Sequence, residues 1–390
     1  MHIAFFTDGY LPQLNGVAAS IDLLARSLDS LGQQVSIFAP EMGSYRDTRP
    51  GVYRLPSFKV IKDPPLWLAA PVSARVLRVT AHMDLDIVHS HSPFALHALA
   101  YQVARRKHLP LVYTYHTLLP AHVKTAAVLG RTVVSPRLAE LYSVWTSDLC
   151  DRVIAPSEKI RDLLIRFGVK RPISVVHNGI DLSRFQGAAR GLLRKRLGLP
   201  EDARIMLAVG RLTPEKNIGF LVDVLARVHA CAPNVYLVPV GQGPLRELYR
   251  KQAEHLGVGE NLVFSGPIPP SEMPQVYADA DVYVSASFSE AHSIAALEAL
   301  ASGLPLVVVP DQSLAMMVTE GENGFVVDLD KEAFAGAVLR ILAAPGLQEQ
   351  MHAESRRISG QFSIQAQARE LAELYADLIE KFRKRQSHPS

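Results

Sequence analysis

The 390-residue sequence has little of several features that mark particular protein classes. Its two cysteines, Cys150 and Cys231, are too few and too far apart for a disulfide framework or a cysteine-rich metal site. The longest uncharged apolar runs, near residues 64–74 and 299–310, contain prolines and fall short of the ~18 residues that a spanning helix needs. The amino terminus lacks the basic and apolar segments of a signal peptide. These absences predict a cytoplasmic protein that does not cross a membrane.

Three motifs are also missing. The glycine fingerprint G-x-G-x-x-G does not occur, which argues against a hydride-transferring enzyme. The His, Cys, Asp and Glu residues show no metal-site spacing, so we expect no bound metal. We expect no cofactor either. Lys and Arg are not interleaved with aromatic residues as in a nucleic-acid groove, so we expect no nucleic-acid partner.

The length and the charge distribution point to two unlike domains. A chain of 390 residues is long enough for two domains of ordinary size. Residues 1–185 carry 21 Lys and Arg against 14 Asp and Glu, whereas residues 186–390 carry 20 against 24. The basic half either presents a solvated charged face or attracts an anionic partner such as lipid.

Short apolar runs alternate with amphipathic segments, which is the pattern of parallel α/β units. The pattern predicts one sheet in residues 1–185 and a second in residues 186–362, with a linker near residues 178–188. A final helix is expected over 363–384, within a carboxyl-terminal segment 363–390. The predicted strands are His2–Thr7, Gln34–Ala39, Asp86–His89, Leu111–Tyr115, Arg152–Ala155, Ile173–Val176, Arg204–Val209, Val235–Val240, Leu262–Ser265, Val282–Ser285 and Leu306–Val309.

Candidate functional residues of the first half follow predicted strands, where ligands of open α/β sheets bind. Gly16 opens the first helix, and its backbone N–H at a positive helix end suits a phosphate. His116 ends the strand Leu111–Tyr115 and suits a polar substrate or developing charge. Ser90, His91 and Ser92 are weaker candidates. A turn glycine and a structural histidine are the alternatives.

Candidate residues of the second half form two groups. Arg211 and Lys216 follow the strand Arg204–Val209 and together suit a diphosphate leaving group, although a plain charged loop is the alternative. Glu290 and Glu298 stand eight positions apart around a helix that should begin near Ser293. We expect Glu290 in the loop before the helix and Glu298 inside it, both accepting hydrogen bonds from hydroxyl groups. Solvated glutamates are the alternative, which the apolar surroundings weaken.

In their order, these pieces resemble the retaining GT-B glycosyltransferases of the GT4 group over nearly the whole chain. The matching pieces are Asn15-Gly16-Val17, His116-Thr117, Asn178-Gly179-Ile180-Asp181, Gly210-Arg211 with Lys216, Gly241-Gln242-Gly243, Gly266, and Glu290 with Glu298. The resemblance implies two Rossmann-like domains with parallel sheets facing a central cleft. It also implies an amino-terminal acceptor domain, a carboxyl-terminal nucleotide-sugar domain, and a last helix that crosses back to the first.

The resemblance also implies roles for individual residues. His116, Glu290, Arg211 and Lys216 would be catalytic: Glu290 and His116 would contact the donor sugar, and Arg211 and Lys216 would neutralise the diphosphate. Glu298 would hold the ribose hydroxyls. Donor contacts are also implied for Gly16, Gly210, Gly243, Gly266, Ile268, Ser293 and Ile294. The implied reaction is metal-independent and retains the anomeric configuration by front-face attack.

Within the group, residues 6–17 look most like the bacterial diacylglycerol glucosyltransferases. The expected function is transfer of a hexose, glucose from UDP-glucose, to a lipid such as diacylglycerol at the inner face of the cell membrane. A GDP-mannose-dependent mannosyltransferase acting on a lipid or glycan is the alternative within the class. Two alternatives lie outside the glycosyltransferase class: a sugar-nucleotide 2-epimerase and a non-catalytic nucleotide-sugar-binding subunit. The stretches 58–78 and 122–145 either lie on an anionic membrane or form core helices with a basic side.

Overall fold

The computed structural model describes residues 1–13, 16–62, 65–116, 118–120, 123 and 135–387. The chain divides into two compact units, one of residues 1–179 and 364–390, the other of residues 180–363. The first boundary lies six residues before the predicted one. The reason is that a 3₁₀ turn, Leu182–Phe185, buries Phe185 among core side chains of the second unit.

The first unit is built on a parallel seven-stranded sheet in the order β3-β2-β1-β6-β7-β8-β9. Val, Ile and Phe are frequent in the strands, and the central strands are buried on both faces as parallel sheets require, whereas the edge strands β3 and β9 are partly exposed. The strands are β1 (His2–Phe6), β2 (Gln34–Pro40), β3 (Val52–Leu55), β6 (Ile87–Ser90), β7 (Leu111–Thr114), β8 (Arg152–Ala155) and β9 (Ile173–Val175).

Helices pack on this sheet, and one of them comes from the end of the chain. The helices are α1 (Gly16–Ser30), α2 (Ala74–Ala81), α3 (Ala95–Lys107), α4 (Pro136–Asp148), α5 (Glu158–Phe167) and α14 (Ile364–Ser387). Helix α14 buries Ile364, Leu371 and Tyr375 in the same core cluster as Leu24 and Leu28 of α1. The last helix is therefore part of the first unit.

Most of the stretch 58–78 is a hairpin, so the core-helix interpretation fails for residues 58–69, while contact with an anionic membrane stays a prediction. Strands β4 (Ser57–Lys62) and β5 (Pro65–Ala69) pair antiparallel, with Lys59 opposite Trp67. Helix α2 follows. Of the stretch 122–145, residues 122, 124–134 lie outside the described residues.

The second unit contains a parallel five-stranded sheet in the order β11-β10-β12-β13-β14. Its strands are β10 (Arg204–Val209), β11 (Val235–Val240), β12 (Val282–Ser285), β13 (Leu306–Val308) and β14 (Gly324–Val326). Its helices are α6 (Leu192–Leu197), α7 (Ile218–Cys231), α8 (Arg246–His255), α9 (Met273–Asp279), α10 (Ile294–Ala301), α11 (Gln312–Ala315), α12 (Lys331–Ala343) and α13 (Pro345–Ser359).

One predicted strand is wrong. Residues 262–266 run beside β11 and form isolated bridges there, from Leu262 to Leu237 and from Gly266 to Val240. The N–H groups of Val263 and Ser265 donate to the carbonyls of Leu237 and Pro239, but Pro239 has no N–H to donate in return, so the ladder is interrupted and no strand forms. Within the described part of the chain, no helix combines the length and apolar character needed to cross a bilayer.

Candidate active site

The topology of the second unit brings its candidate residues to one edge of the sheet. Strand β10 lies between β11 and β12, so the chain order reverses on the two sides of β10. At such a reversal the loops after adjacent strands diverge and leave a crevice at the carboxyl ends. Lys216 follows β10, the glycine pair Gly241 and Gly243 follows β11, and Glu290 follows β12.

Two glycine loops lie against each other at this edge. Gly210 (φ +150°) and Gly241 (φ +140°) adopt backbone angles that favour glycine. A Cβ added to Gly241 would fall on the carbonyl oxygen of Gly210, and one added to Gly243 would fall on that of Leu212. The Leu212 N–H donates to the Gln242 carbonyl at 3.0 Å. Glycine is thus required for the close approach of these loops, which leaves bare backbone at the edge.

The charged side chains at this edge form two ion pairs. The Lys216 ammonium is paired with the Glu290 carboxylate, and both side chains are largely buried. Arg211 Nη2 lies 3.1 Å from Glu215 Oε1, with the Arg211 side chain 51% exposed. Arg211 and Lys216 therefore lie on the loop directly after β10, as the sequence predicted, and the structure joins Lys216 to Glu290 across 74 positions.

Glu215 was not among the sequence candidates, yet it organises the loop after β10. It is buried, and its carboxylate accepts a hydrogen bond from the Thr213 hydroxyl at 2.8 Å. Its backbone carbonyl accepts from the Ser287 hydroxyl at 3.2 Å and from the Phe288 N–H at 3.3 Å. The loops after β10 and β12 are joined there. A glutamate beside a lysine resembles an ordinary surface pair, so the sequence carried no signal of this role.

Helix α10 begins where the sequence predicted. Ser293 is its N-cap, and the Ser293 hydroxyl accepts a hydrogen bond from the Ala296 N–H at 3.3 Å. Glu290 precedes the cap in the loop, and its carbonyl accepts from the Ser313 hydroxyl at 3.1 Å. The positive end of the helix dipole therefore lies just after Glu290.

Glu298 lies inside helix α10 and is held by a residue that the sequence did not single out. The Tyr277 hydroxyl of α9 donates to Glu298 Oε2 at 2.8 Å and lies 3.1 Å from the Ala295 carbonyl oxygen. Burial raises the pKa of Glu298, whereas the hydrogen bond from Tyr277 and the charge of Arg184 lower it. Tyr277 is fully buried among core side chains, so in the sequence it looks like an ordinary core residue with a packing role only.

The remaining candidates of the second unit lie around this edge. Gly266 has a left-handed backbone (φ +71°), and its carbonyl accepts from the Gly241 N–H at 3.0 Å. Ile268 and Ile294 are partly buried and pack on the core cluster that contains Leu297 and Tyr277. Both isoleucines therefore combine a packing role with partial exposure.

In the first unit, Gly16 and His116 occupy the predicted kinds of position. Gly16 is the exposed first residue of α1, while Leu14, Asn15 and Thr117 lie outside the described residues. His116 follows β7, and its Nε2 lies 3.1 Å from Nδ1 of His91, which follows β6. Burial lowers the pKa of His116 to about 4, so its ring is neutral at pH 7.

Asp8 is a further acid at this edge that the sequence did not predict to be functional. It is buried, accepts a hydrogen bond from the Ser92 hydroxyl at 2.9 Å, and accepts another from the Leu96 N–H in the first turn of α3 at 3.2 Å. Burial raises the pKa of Asp8 to about 6. Its contacts are those of a helix cap supplied from a distant strand, which indicates a structural role.

Comparison with known proteins gives two family matches. Residues 14–184 match the model of Glycosyltransferase Family 4, and residues 190–358 match that of glycosyl transferases group 1. The alpha-monoglucosyldiacylglycerol synthase of Streptococcus pneumoniae is 31% identical over 388 residues, which covers 97% of this chain and 86% of that protein. The GDP-mannose-dependent alpha-mannosyltransferase of Mycobacterium tuberculosis is 32% identical over 326 residues, covering 80% of this chain and 79% of that protein.

A solved structure shares the architecture at low sequence identity. The crystal structure of Anabaena Alr3699/HepE in complex with UDP and glucose has a TM-score of 0.75 and 20% identity, and the match covers 97% of this chain and all of that one. The two parallel-sheet units are those of the GT-B fold.

Proposed function

The chain belongs to the GT4 family of GT-B glycosyltransferases and transfers a sugar from a nucleotide-sugar donor, and we propose that it moves glucose from UDP-glucose to a lipid acceptor such as diacylglycerol. The observation that carries the proposal is the Lys216–Glu290 pair at the carboxyl ends of β10 and β12, beside Arg211 and the bare glycine backbone. This edge offers cations for a diphosphate and a carboxylate for sugar hydroxyls.

Each charged residue has a separate part in the proposed reaction. Arg211 and Lys216 neutralise the departing diphosphate, for which a guanidinium and an ammonium are suited. Glu290 accepts hydrogen bonds from the donor sugar, and Glu298, oriented by Tyr277, accepts them from the ribose hydroxyls. Gly16 offers its backbone N–H to the diphosphate, and His116 contacts the sugar near the reacting carbon.

In the proposed chemistry the anomeric configuration is retained without a covalent intermediate. The bond from the anomeric carbon to the diphosphate oxygen breaks, and the acceptor hydroxyl oxygen attacks from the same face. Its proton passes to the departing phosphate oxygen, so the leaving group is also the base. The protein then has to stabilise a developing negative charge, which fixed cations do efficiently in a crevice.

The two donor alternatives draw on different relatives. The relative from S. pneumoniae is named a glucosyldiacylglycerol synthase, and the one from M. tuberculosis is named for GDP-mannose. Coverage of 97% of this chain by the first, against 80% by the second, favours glucose and a lipid. The mannosyltransferase stays the second candidate.

We also propose that the protein works on an anionic membrane surface. Residues 1–179 with 364–390 hold 25 Lys and Arg against 17 Asp and Glu, and residues 180–363 hold 16 against 21. Helix α4 exposes Leu138, Leu141 and Trp145, each by more than half, and Arg137 lies on the same helix. An apolar helix face with tryptophan in a basic unit fits the boundary of an anionic lipid layer.

The function is tested by a donor panel with defined acceptors. The purified chain is incubated with UDP-glucose or GDP-mannose and diacylglycerol in vesicles of phosphatidylglycerol or phosphatidylcholine, and the products are identified by mass spectrometry. Glucosyldiacylglycerol, formed faster on the anionic vesicles, is expected. Transfer from GDP-mannose alone would refute the glucose assignment, and an epimerised sugar nucleotide formed without any acceptor would refute transfer to a lipid.

The site assignment is tested by removing each member of the central ion pair. Lys216→Ala and Glu290→Ala should each lower kcat by at least about 100-fold, because each removes a charge contact made in the transition state. Lys331→Ala is the matched control, since Lys331 forms an ion pair with Asp223 at 2.6 Å in the same unit, between helices α12 and α7 and not on the loops after β10 and β12. Circular dichroism checks folding. Near-normal turnover in both site variants would overturn the assignment.

A further inference from the structure

Three histidine rings lie side by side at the carboxyl ends of β6 and β7. The ring centroids of His89 and His91 are 4.0 Å apart, and those of His91 and His116 are 5.4 Å apart. His89 and His91 are buried, and His116 is partly exposed. The proposed function uses only His116, which leaves the part played by the two buried rings unexplained.

The surroundings of His91 fix its ring on two sides. The ring of Phe5 meets it edge-on at 4.4 Å, and the ring of His89 lies against it. His89 is itself held at both nitrogens, by the Tyr375 hydroxyl at 2.5 Å and the Thr114 hydroxyl at 2.7 Å. The two hydrogen bonds of His89 fix its ring, so His89 packs against His91 but has no ring nitrogen left to bond to it. The hydrogen bond of His91 is made with His116 instead.

Nδ1 of His91 and Nε2 of His116 are 3.1 Å apart and form one hydrogen bond, in which one nitrogen donates its proton and the other accepts it. Burial lowers the pKa of both histidines, and the neighbouring histidines add to the effect at His91, so both rings are neutral at pH 7. In a neutral imidazole one nitrogen donates and the other accepts. The direction of this bond therefore decides the tautomer of both rings.

The second nitrogen of His91 decides the direction. His91 Nε2 is buried and has no hydrogen-bond partner among the described residues. A buried N–H without an acceptor is rarer in proteins than an acceptor without a donor. We therefore assign the proton of His91 to Nδ1, so that this nitrogen donates and Nε2 of His116 accepts.

We propose that His91 is a positioning residue that holds His116 in the tautomer protonated on Nδ1. This inference rests on the proposed function, in which His116 contacts the donor sugar. In the held tautomer the Nδ1 side of the His116 ring carries an N–H donor, which suits a sugar hydroxyl oxygen. The other tautomer would present a lone pair instead, so a change of tautomer would remove that contact while leaving the ring in place.

The first test measures turnover in a pair of His91 variants. His91→Phe keeps a flat ring between Phe5 and His89 but has no donor, and we expect kcat to fall about tenfold, as for loss of one hydrogen bond. His91→Asn keeps an amide that can donate near the position of Nδ1 and should restore most of the rate. Full activity of a folded His91→Phe protein would overturn the proposal.

The second test reads the tautomer directly and needs no activity. In the full-length protein labelled with ¹⁵N in the histidine rings, the His116 signals are assigned by comparison with His116→Gln. We expect the proton on Nδ1 in the unaltered protein and a mixture of tautomers in His91→Phe. A proton on Nε2 of His116 in the unaltered protein would refute the inference, even if His91→Phe failed to fold.

A further buried histidine supplies the control. His97 bonds to the Ser90 hydroxyl at 3.0 Å and to the Thr146 carbonyl at 3.1 Å, and neither contact involves His116. His97→Gln should lower stability without changing the His116 tautomer. If the protein transferred no sugar from any donor, the proposed function would fail while the tautomer was still measurable. The two failures are therefore distinguishable.

Discussion

Replacement of Tyr277 by phenylalanine tests how the carboxylate of Glu298 is held. Phenylalanine keeps the ring that packs against Phe185 at 6.0 Å between centroids, so the core of the second unit should stay intact. Only the hydroxyl is lost. Its single proton lies within reach of Glu298 Oε2 at 2.8 Å and the Ala295 carbonyl at 3.1 Å, and the charged oxygen at the shorter distance takes most of the bond.

The expected cost follows from the type of bond. A hydrogen bond to a charged group contributes about 1.5–3 kcal/mol, and its loss leaves a buried carboxylate short of a partner. Urea unfolding of the unaltered protein, Tyr277→Phe, Glu298→Ala and the double variant gives a coupling free energy, which we expect in that range at pH 7.5, because each single variant removes one partner of the bond. Calorimetric titration with UDP should show weaker binding to Tyr277→Phe, since Glu298 is no longer oriented.

The pH dependence gives a further check. Burial raises the pKa of the Glu298 carboxyl in the folded protein above its value in the unfolded chain. This difference stabilises the folded state fully at a pH below the unfolded-state pKa, and the stabilisation is lost as the pH rises through the folded-state pKa. Tyr277→Phe raises the folded pKa further, so its destabilisation should grow with pH and shrink in mild acid. A coupling free energy below about 0.5 kcal/mol at every pH would refute this account of Glu298.

Two other predictions concern stability. Gly241→Ala should destabilise the second unit by at least about 2 kcal/mol in urea unfolding, because the added Cβ meets the Gly210 carbonyl oxygen. Gly257→Ala is the control: Gly257 also has a positive φ but has open space around it, so this change should cost only about 1 kcal/mol. Equal losses of stability in the two variants would contradict the packing argument. Burial raises the pKa of Asp8 from 3.8 to about 6, so the folded state of the unaltered protein loses stability as this carboxyl ionises. Asp8→Asn should therefore gain about 2 kcal/mol of stability relative to the unaltered protein as the pH rises from 4 to 7. A difference that does not change with pH would show that Asp8 is not the group responsible.

The sequence predicted best what local signals determine. Apolar runs such as Arg204–Val209 and Val282–Ser285 form strands as expected, because the strands of a parallel sheet are buried on both faces and therefore consist of continuous apolar residues. The start of α10 at Ser293 was likewise visible, since a serine before an apolar helix is a local cap. The hairpin β4–β5 was missed, because its second strand begins at a proline, Pro65, and its sequence lacks a regular alternation.

The contacts that complete the candidate site were beyond the reach of sequence reasoning. Lys216 and Glu290 were both candidates, but their pairing depends on β10 and β12 being neighbours in the sheet. Tyr277 and Glu298 belong to different helices, and the hydroxyl of a buried tyrosine gives no sign of its partner. His91 was a weak candidate because its importance depends on β6 and β7 lying side by side. Tertiary neighbours, and not residue types, determine these contacts.

The place of α14 in the first unit affects how the protein is made. Ribosomal synthesis delivers residues 1–179 first, yet the helix that supplies Leu371 and Tyr375 to their core emerges only after residues 180–363. Until then the nascent first unit exposes the apolar surface that α14 later covers, and His89 lacks its tyrosine. The second unit, continuous in the chain, is complete beforehand. Its folding can therefore precede that of the unit translated ahead of it.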